Sequence, residues 1–120
     1  MPPNNKKILV ADDDDLNRKL LKEFLSFYSY DVECVDNGKD AIALIKTGHY
    51  DVLITDYVMP GINGVELTKR VRSLNLSLPI IGISASGDEK EFMAAGANLF
   101  MEKPLTLSML KNALERNIFT

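Results

Sequence analysis

The 120-residue chain has one cysteine, one histidine, no basic block and no long apolar run, and each shortage closes off a class of function. Cys34 has no partner for an internal disulfide, which fits a reducing compartment without requiring one. Within an apolar stretch it reads as a small core residue. With His49 as the lone imidazole, there is no nitrogen and sulfur ligand set for zinc; following Thr47-Gly48, His49 reads as a surface loop residue. A net charge of −3 with no basic patch argues against direct nucleic acid binding through phosphate neutralisation. No apolar stretch approaches the roughly 20 residues that span a bilayer. The opening Met1-Pro2-Pro3-Asn4-Asn5-Lys6-Lys7 lacks the apolar core of a secretory signal. A cytoplasmic protein with no membrane contact is expected. Neither GxxxxGK[ST] nor GxGxxG occurs, and Gly61 and Gly64, within Met59-Pro60-Gly61-Ile62-Asn63-Gly64, read as ordinary turn residues.

What is present is ordinary in bulk and specific in pattern. A hydrophobic content of 46% and a charged content of 26% suit a soluble globular chain, and the length suits a single domain over residues 1–120, with 1–5 as a flexible tail. Apolar runs alternate with helical periodicities. Strands are predicted at Lys7 to Ala11, Asp31 to Val35, Asp51 to Thr55, Pro79 to Ile83 and Asn98 to Glu102. The first, third and fourth are nearly all apolar, as central parallel strands should be.

A first helix carries Leu16, Leu20, Leu21, Phe24 and Leu25, capped by Asp14 or Asp15. Ala41, Ile42 and Ile45 mark a second helix begun near Asn37-Gly38. Val65, Leu67, Val71 and Leu74 mark a third, and Leu107, Leu110, Leu114 and Ile118 the last. The fourth, within Gly87 to Ala95, has barely two turns before Gly96, a helix-ending glycine. The fold class is therefore α/β, a flavodoxin-like three-layer sandwich. It has a five-stranded parallel sheet of order 2-1-3-4-5 and five helices, the fourth short.

Ligands in such sheets bind beyond the carboxyl ends of the strands where the order reverses, here between strands one and three. The run Asp12 to Asp15 follows strand one, and Asp56 follows strand three. Like charges about 4 Å apart repel by roughly 4 kcal/mol even at an effective dielectric near 20, so a compensating cation is expected. Three carboxylates without His or Cys suit Mg²⁺, a hard ion that keeps several waters and can complete its octahedron with a phosphate oxygen. A calcium loop is excluded, since it would need an acid or amide at Leu16 and a glycine at Asn17. Ser84 ends strand four and Lys103-Pro104 follows strand five, so a hydroxyl and an ammonium join the acids. Singly these residues read as a turn and a solvated cation; together they outline a phosphoryl-transfer site.

At this point the chain resembles the receiver domains of two-component response regulators, of the chemotaxis-receiver type, along essentially its whole length. The carrying segments are Ile8-Leu9-Val10-Ala11-Asp12-Asp13, Leu53-Ile54-Thr55-Asp56-Tyr57-Val58-Met59-Pro60 with Gly64, Ile83-Ser84-Ala85, Ala95-Gly96-Ala97 and Lys103-Pro104. The resemblance implies that Asp56 accepts a phosphoryl group from a phosphohistidine on a histidine kinase or histidine phosphotransfer protein. It implies Asp13 as a direct Mg²⁺ ligand, Asp12 as one acting through water, and Asp56 and the Val58 carbonyl as further ligands. Lys103 would pair with a phosphoryl oxygen, and backbone N–H groups near Tyr57 and Ala85 would add donors. Ser84 would turn toward the phosphoryl group, and Phe100 stands at the aromatic switch position, although a strand-edge core role suits it too. Lys103-Pro104 matches a cis peptide of the family. The expected role is a signalling switch rather than a turnover enzyme, read through helix four, strand five and helix five by an effector the sequence does not name.

Three departures and two rivals accompany the resemblance. The Ser84 to Gly96 segment is shorter than expected of a receiver by nearly a helical turn, Phe100 lacks the hydroxyl of a Tyr, and Val58 offers no side chain to guide an attacking water. A small phosphatase with an Asp nucleophile could be mimicked by Asp12-x-Asp14, but the Gly-Thr that follows in such enzymes is absent and there is no room for a substrate cap. A receiver-like scaffold that binds partners without phosphorylation is the second rival.

Overall fold

The computed structural model describes residues 6–74, 77–85 and 87–119, so the flexible tail expected at 1–5 lies outside the described residues. Strands β1 (Lys7–Ala11), β2 (Asp31–Val35), β3 (Val52–Asp56), β4 (Ile80–Ser84) and β5 (Leu99–Glu102) form one parallel sheet of order β2-β1-β3-β4-β5. The three nearly all-apolar strands are central, as their composition predicts. β3, β4 and β5 begin one residue later than expected. Asp51 is diverted to β1, where its carboxylate accepts the Lys7 N–H at 2.7 Å. The Asn98 side-chain carbonyl accepts the Ile80 N–H at 2.8 Å, while the Asn98 N–H donates to the Ile80 carbonyl at 2.8 Å. The consequence is functional: Asp56 and Ser84 are the last residues of their strands.

Alternation along the strands divides the core in two. Leu9, Ala11, Leu53 and Ile80 face α2 (Gly38–Thr47), α3 (Gly64–Ser73) and α4 (Glu89–Ala95). Ile8, Val10, Ile54, Ile81 and Ile83 face α1 (Asp15–Phe27) and α5 (Leu107–Ala113). This is the expected three-layer sandwich.

Helix starts follow capping chemistry. Asp14 accepts from the Asn17 N–H, Asn37 from Asp40, Asn63 from Glu66 and Thr106 from Met109. Gly96 ends α4 with φ of 112°, the left-handed conformation that favours glycine.

Two expectations about packing need correction. Leu16 and Leu20 are exposed rather than on the buried stripe of α1, which rests on Leu21 and Leu25. Near the carboxyl edge α1 and α5 leave a cleft of 560 Å³ lined by Leu20, Leu105 and Leu107 among others, so Leu20 borders open space rather than a packed neighbour. The last helix is not α-helical throughout: after Ala113 it widens into a π-helical turn over Leu114–Ile118, closed by the Phe119 N–H on the Leu114 carbonyl at 2.7 Å. Cys34 is packed against the core but only half-buried, its thiol 3.8 Å from the Arg18 carbonyl. His49 is exposed, as its position predicts. No helix among the described residues is long and apolar enough to cross a membrane.

Candidate functional site at the carboxyl edge of the sheet

Register alone brings the acids together. β1 and β3 are paired in parallel with Ala11 opposite Thr55, so the residues that follow, Asp12 and Asp56, emerge side by side. One carboxylate oxygen from each of Asp12, Asp13 and Asp56 lies within 4.8 Å of the others. At that spacing each pair of ionised groups repels by about 3–4 kcal/mol at an effective dielectric near 20. Asp12 is buried, Asp56 half-buried and Asp13 exposed. Burial, and then the charge of Asp56, push the Asp12 carboxyl above the ordinary carboxylate range, against the lowering pull of the Asp14 N–H bond and of Lys103. That N–H donates to Asp12 Oδ1 at 2.9 Å.

The compensation present is Lys103. Its Nζ donates to Asp56 Oδ2 at 2.8 Å. Burial opposes the charged ammonium, but the bond to Asp56 and the charges of Asp56, Asp12 and Asp13 outweigh it and raise its pKa. The other Asp56 oxygen, Oδ1, accepts the Tyr57 N–H at 2.7 Å. Lys103 is placed by β5: its own N–H donates to the Ser84 carbonyl at 2.7 Å, and the following peptide bond to Pro104 is cis.

Ser84 is buried at 4% exposure, and its hydroxyl donates to the carboxylate of Asp88. Val58, two residues past Asp56, has an exposed side chain. Phe100 is half-buried on β5 opposite Gly82 of β4, with its ring 5.8 Å from that of Phe92.

The acid run divides. Asp14 caps α1 and Asp15 is its first residue, ion-paired with Arg18, so Asp12 and Asp13 are left facing Asp56. An Asp12-x-Asp14 phosphatase pair is disfavoured, because the Asp14 carboxylate is engaged in the cap. Gly64 is not an ordinary turn residue: a Cβ there would lie 2.0 Å from the Asp56 carbonyl oxygen. The Gly64 N–H donates to the Tyr57 carbonyl at 2.8 Å, so glycine is needed for α3 to begin against the phosphoacceptor candidate. Gly61, with φ of 78° and open space around it, is the turn residue it looks like.

Two residues escaped sequence reasoning. Arg18 donates to the Asp12 carbonyl at 2.7 Å; its i, i+3 spacing from Asp15 is the only signal for it. Asp88 has none beyond its place before a helix.

A hard divalent cation fits this site. The donors are all oxygens, three carboxylates converge without imidazole or thiolate, and the single nearby ammonium leaves them incompletely neutralised.

A doubly wound α/β sheet whose reversal point carries converging acids, with a lysine across from them, defines a flavodoxin-like protein with an acidic ligand-binding edge. Comparison with known proteins places it further. The response regulator receiver domain family matches residues 8–115, and the chain belongs to that family. It is 43% identical over 117 residues to the sensor protein EvgS of Escherichia coli K12, covering 95% of this chain and 10% of EvgS. The chain thus spans about a tenth of the length of that relative. The chemotaxis response regulator CheY4 of Vibrio cholerae is 31% identical with a TM-score of 0.86, over 94% of this chain and 98% of CheY4. The receiver domain of sensor histidine kinase PA1611 from Pseudomonas aeruginosa, solved with a magnesium ion coordinated in its active-site cleft, is 26% identical with a TM-score of 0.88. That match covers 98% of this chain and 100% of that one. The protein is therefore a two-component receiver, a signalling switch by family.

Proposed function

We propose that Asp56 is the phosphoacceptor of this receiver, taking a phosphoryl group from a phosphohistidine of a histidine kinase or histidine phosphotransfer protein. The observation that carries the reading is the half-buried Asp56 carboxylate held between the Lys103 ammonium and the Tyr57 N–H, within 4.8 Å of Asp12 and Asp13. An Asp56 oxygen forms the new bond to phosphorus as the P–N bond breaks, and the imidazole nitrogen keeps the electron pair. No general base is needed, because a carboxylate is ionised at neutral pH. Catalysis is positioning and charge neutralisation of a loose, in-line transfer.

Asp13, Asp56 and the Val58 carbonyl would hold Mg²⁺ directly and Asp12 through water; the bound ion would neutralise the acids and the incoming phosphoryl oxygens. The magnesium reported in the PA1611 receiver supports this. Lys103 pairs with a phosphoryl oxygen, N–H groups of Tyr57 and Ala85 add donors, and Ser84 turns to the phosphoryl group once it is formed. Phe100 shifts with it, altering the surface of α4, β5 and α5 for a downstream effector. The domain acts in the cytoplasm and turns over no substrate beyond its own phosphorylation and dephosphorylation.

Incubation with acetyl phosphate and Mg²⁺ tests the reading by intact mass. A gain of one phosphate that is lost in Asp56→Asn is expected. No gain would mark a binding scaffold, and a gain that persists in Asp56→Asn would move the acceptor elsewhere.

A further inference from the structure

Asp88 occupies the N-cap position of α4, where aspartate is among the best capping residues. The other four helices all use their N-cap side chains on a backbone N–H, and Asp88 does not. Its carboxylate accepts the Ser84 hydroxyl instead. Two further contacts tie the same helix to the site: the Tyr57 hydroxyl is 3.4 Å from Glu91 Oε2, and the buried Phe92 ring lies 6.1 Å from the Tyr57 ring. A hydroxyl has one proton to donate. Ser84 therefore cannot serve Asp88 and a phosphoryl group on Asp56 at once.

We propose that Asp88 is a positioning residue that holds the Ser84 hydroxyl on α4, so that Ser84 reaches a phosphoryl group only by releasing Asp88 to cap the helix. The inference rests on the phosphoacceptor reading above. It makes two exclusive arrangements. In one, Ser84 bonds Asp88 and the first turn of α4 lacks its side-chain cap. In the other, Ser84 bonds the phosphoryl oxygen and Asp88 turns to the N–H groups of the first turn, where a carboxylate also suits the helix dipole. Release of Asp88 thus carries the state of Asp56 to α4.

Beryllofluoride, a stable mimic of the phosphoryl group, and amide hydrogen exchange test this in the whole chain. Asp88→Ala should bind beryllofluoride about fivefold more tightly, because the charge-assisted Ser84 bond lost from the free state outweighs the helix cap lost from the bound state. Asp88→Asn, which keeps an acceptor without the charge, should fall between. In a Ser84→Ala background the gain from Asp88→Ala should vanish. Without any ligand, Ser84→Ala should slow exchange at the Lys90 and Glu91 amides, because Asp88 becomes free to cap. Unchanged affinity in Asp88→Ala, the same gain in the Ser84→Ala background, or unslowed exchange overturns the proposal. A wild-type chain that binds no beryllofluoride overturns the phosphoacceptor reading and this proposal together, whereas binding that Asp88→Ala leaves unchanged overturns this proposal alone.

Discussion

The ammonium of Lys103 lies 2.8 Å from one Asp56 oxygen while three carboxylates share the same edge. Its removal has two consequences. Lys103→Met should slow acetyl phosphate labelling by about tenfold or more, the ~1.5–3 kcal/mol of a hydrogen bond to a charged group. It should also lower the melting temperature without metal, since the acids lose their neighbour. Labelling at the wild-type rate would exclude Lys103 from the transfer.

Tyr50 offers a pH signature far from the site. Burial, then its bond to Glu33 Oε1 at 2.8 Å and the charges of Glu33 and Asp31, push its pKa up to about 12. The folded value lies above the ordinary value near 10. Its contribution to stability is therefore complete below about pH 10 and is lost as the pH rises through about 12. Wild-type melting temperature should fall more steeply over that interval than that of Tyr50→Phe; parallel curves would refute the assignment. Among single residues, Asp12, Asp13, Asp56, Ser84 and Lys103 were legible because strand ends converge whatever the rotamers. Arg18 and Asp88 were not, because their roles depend on where a side chain turns.

The fourth helix is short and depends on a single ring. Seven residues long, it is anchored by Phe92, fully buried against β4, where Gly82 leaves the space. A Cβ at Gly82 would lie 2.5 Å from the Phe92 ring. Gly82→Ala should destabilise the fold by ~1–3 kcal/mol, the usual cost of overpacking, and Gly82→Ala with Phe92→Leu should recover part of it. No loss in urea unfolding, or no recovery in the pair, would show that the ring is not held there. The length of α4 was legible from Gly96, whereas Phe92 looked like one apolar residue among several. Leu16 and Leu20 fit the helical spacing of α1 yet lie exposed, because periodicity locates a stripe without saying which end the neighbouring helix covers.

Across the whole molecule, the fold stores electrostatic repulsion at one edge of an apolar sheet, and a cation bound there should appear as global stability. Mg²⁺ at a hundredfold excess over its dissociation constant contributes ~2.7 kcal/mol, a rise of roughly 10 °C for a domain of this size. Asp13→Asn should abolish most of that rise while Asp14→Ala retains it; the reverse result would overturn the division of the acid run.

The sequence by itself determined the strand order, the central strands and the edge where the chemistry-bearing side chains meet. Apolar alternation, crossover handedness and strand ends are properties of the backbone and of burial, which residue types announce. Only the tertiary structure decided that Asp88 holds Ser84, that Phe92 fills the notch at Gly82, and that Gly64 must be glycine to pass the Asp56 carbonyl. Those outcomes depend on close packing between elements distant in the chain, where an atom or two of volume selects the arrangement and no local pattern records it.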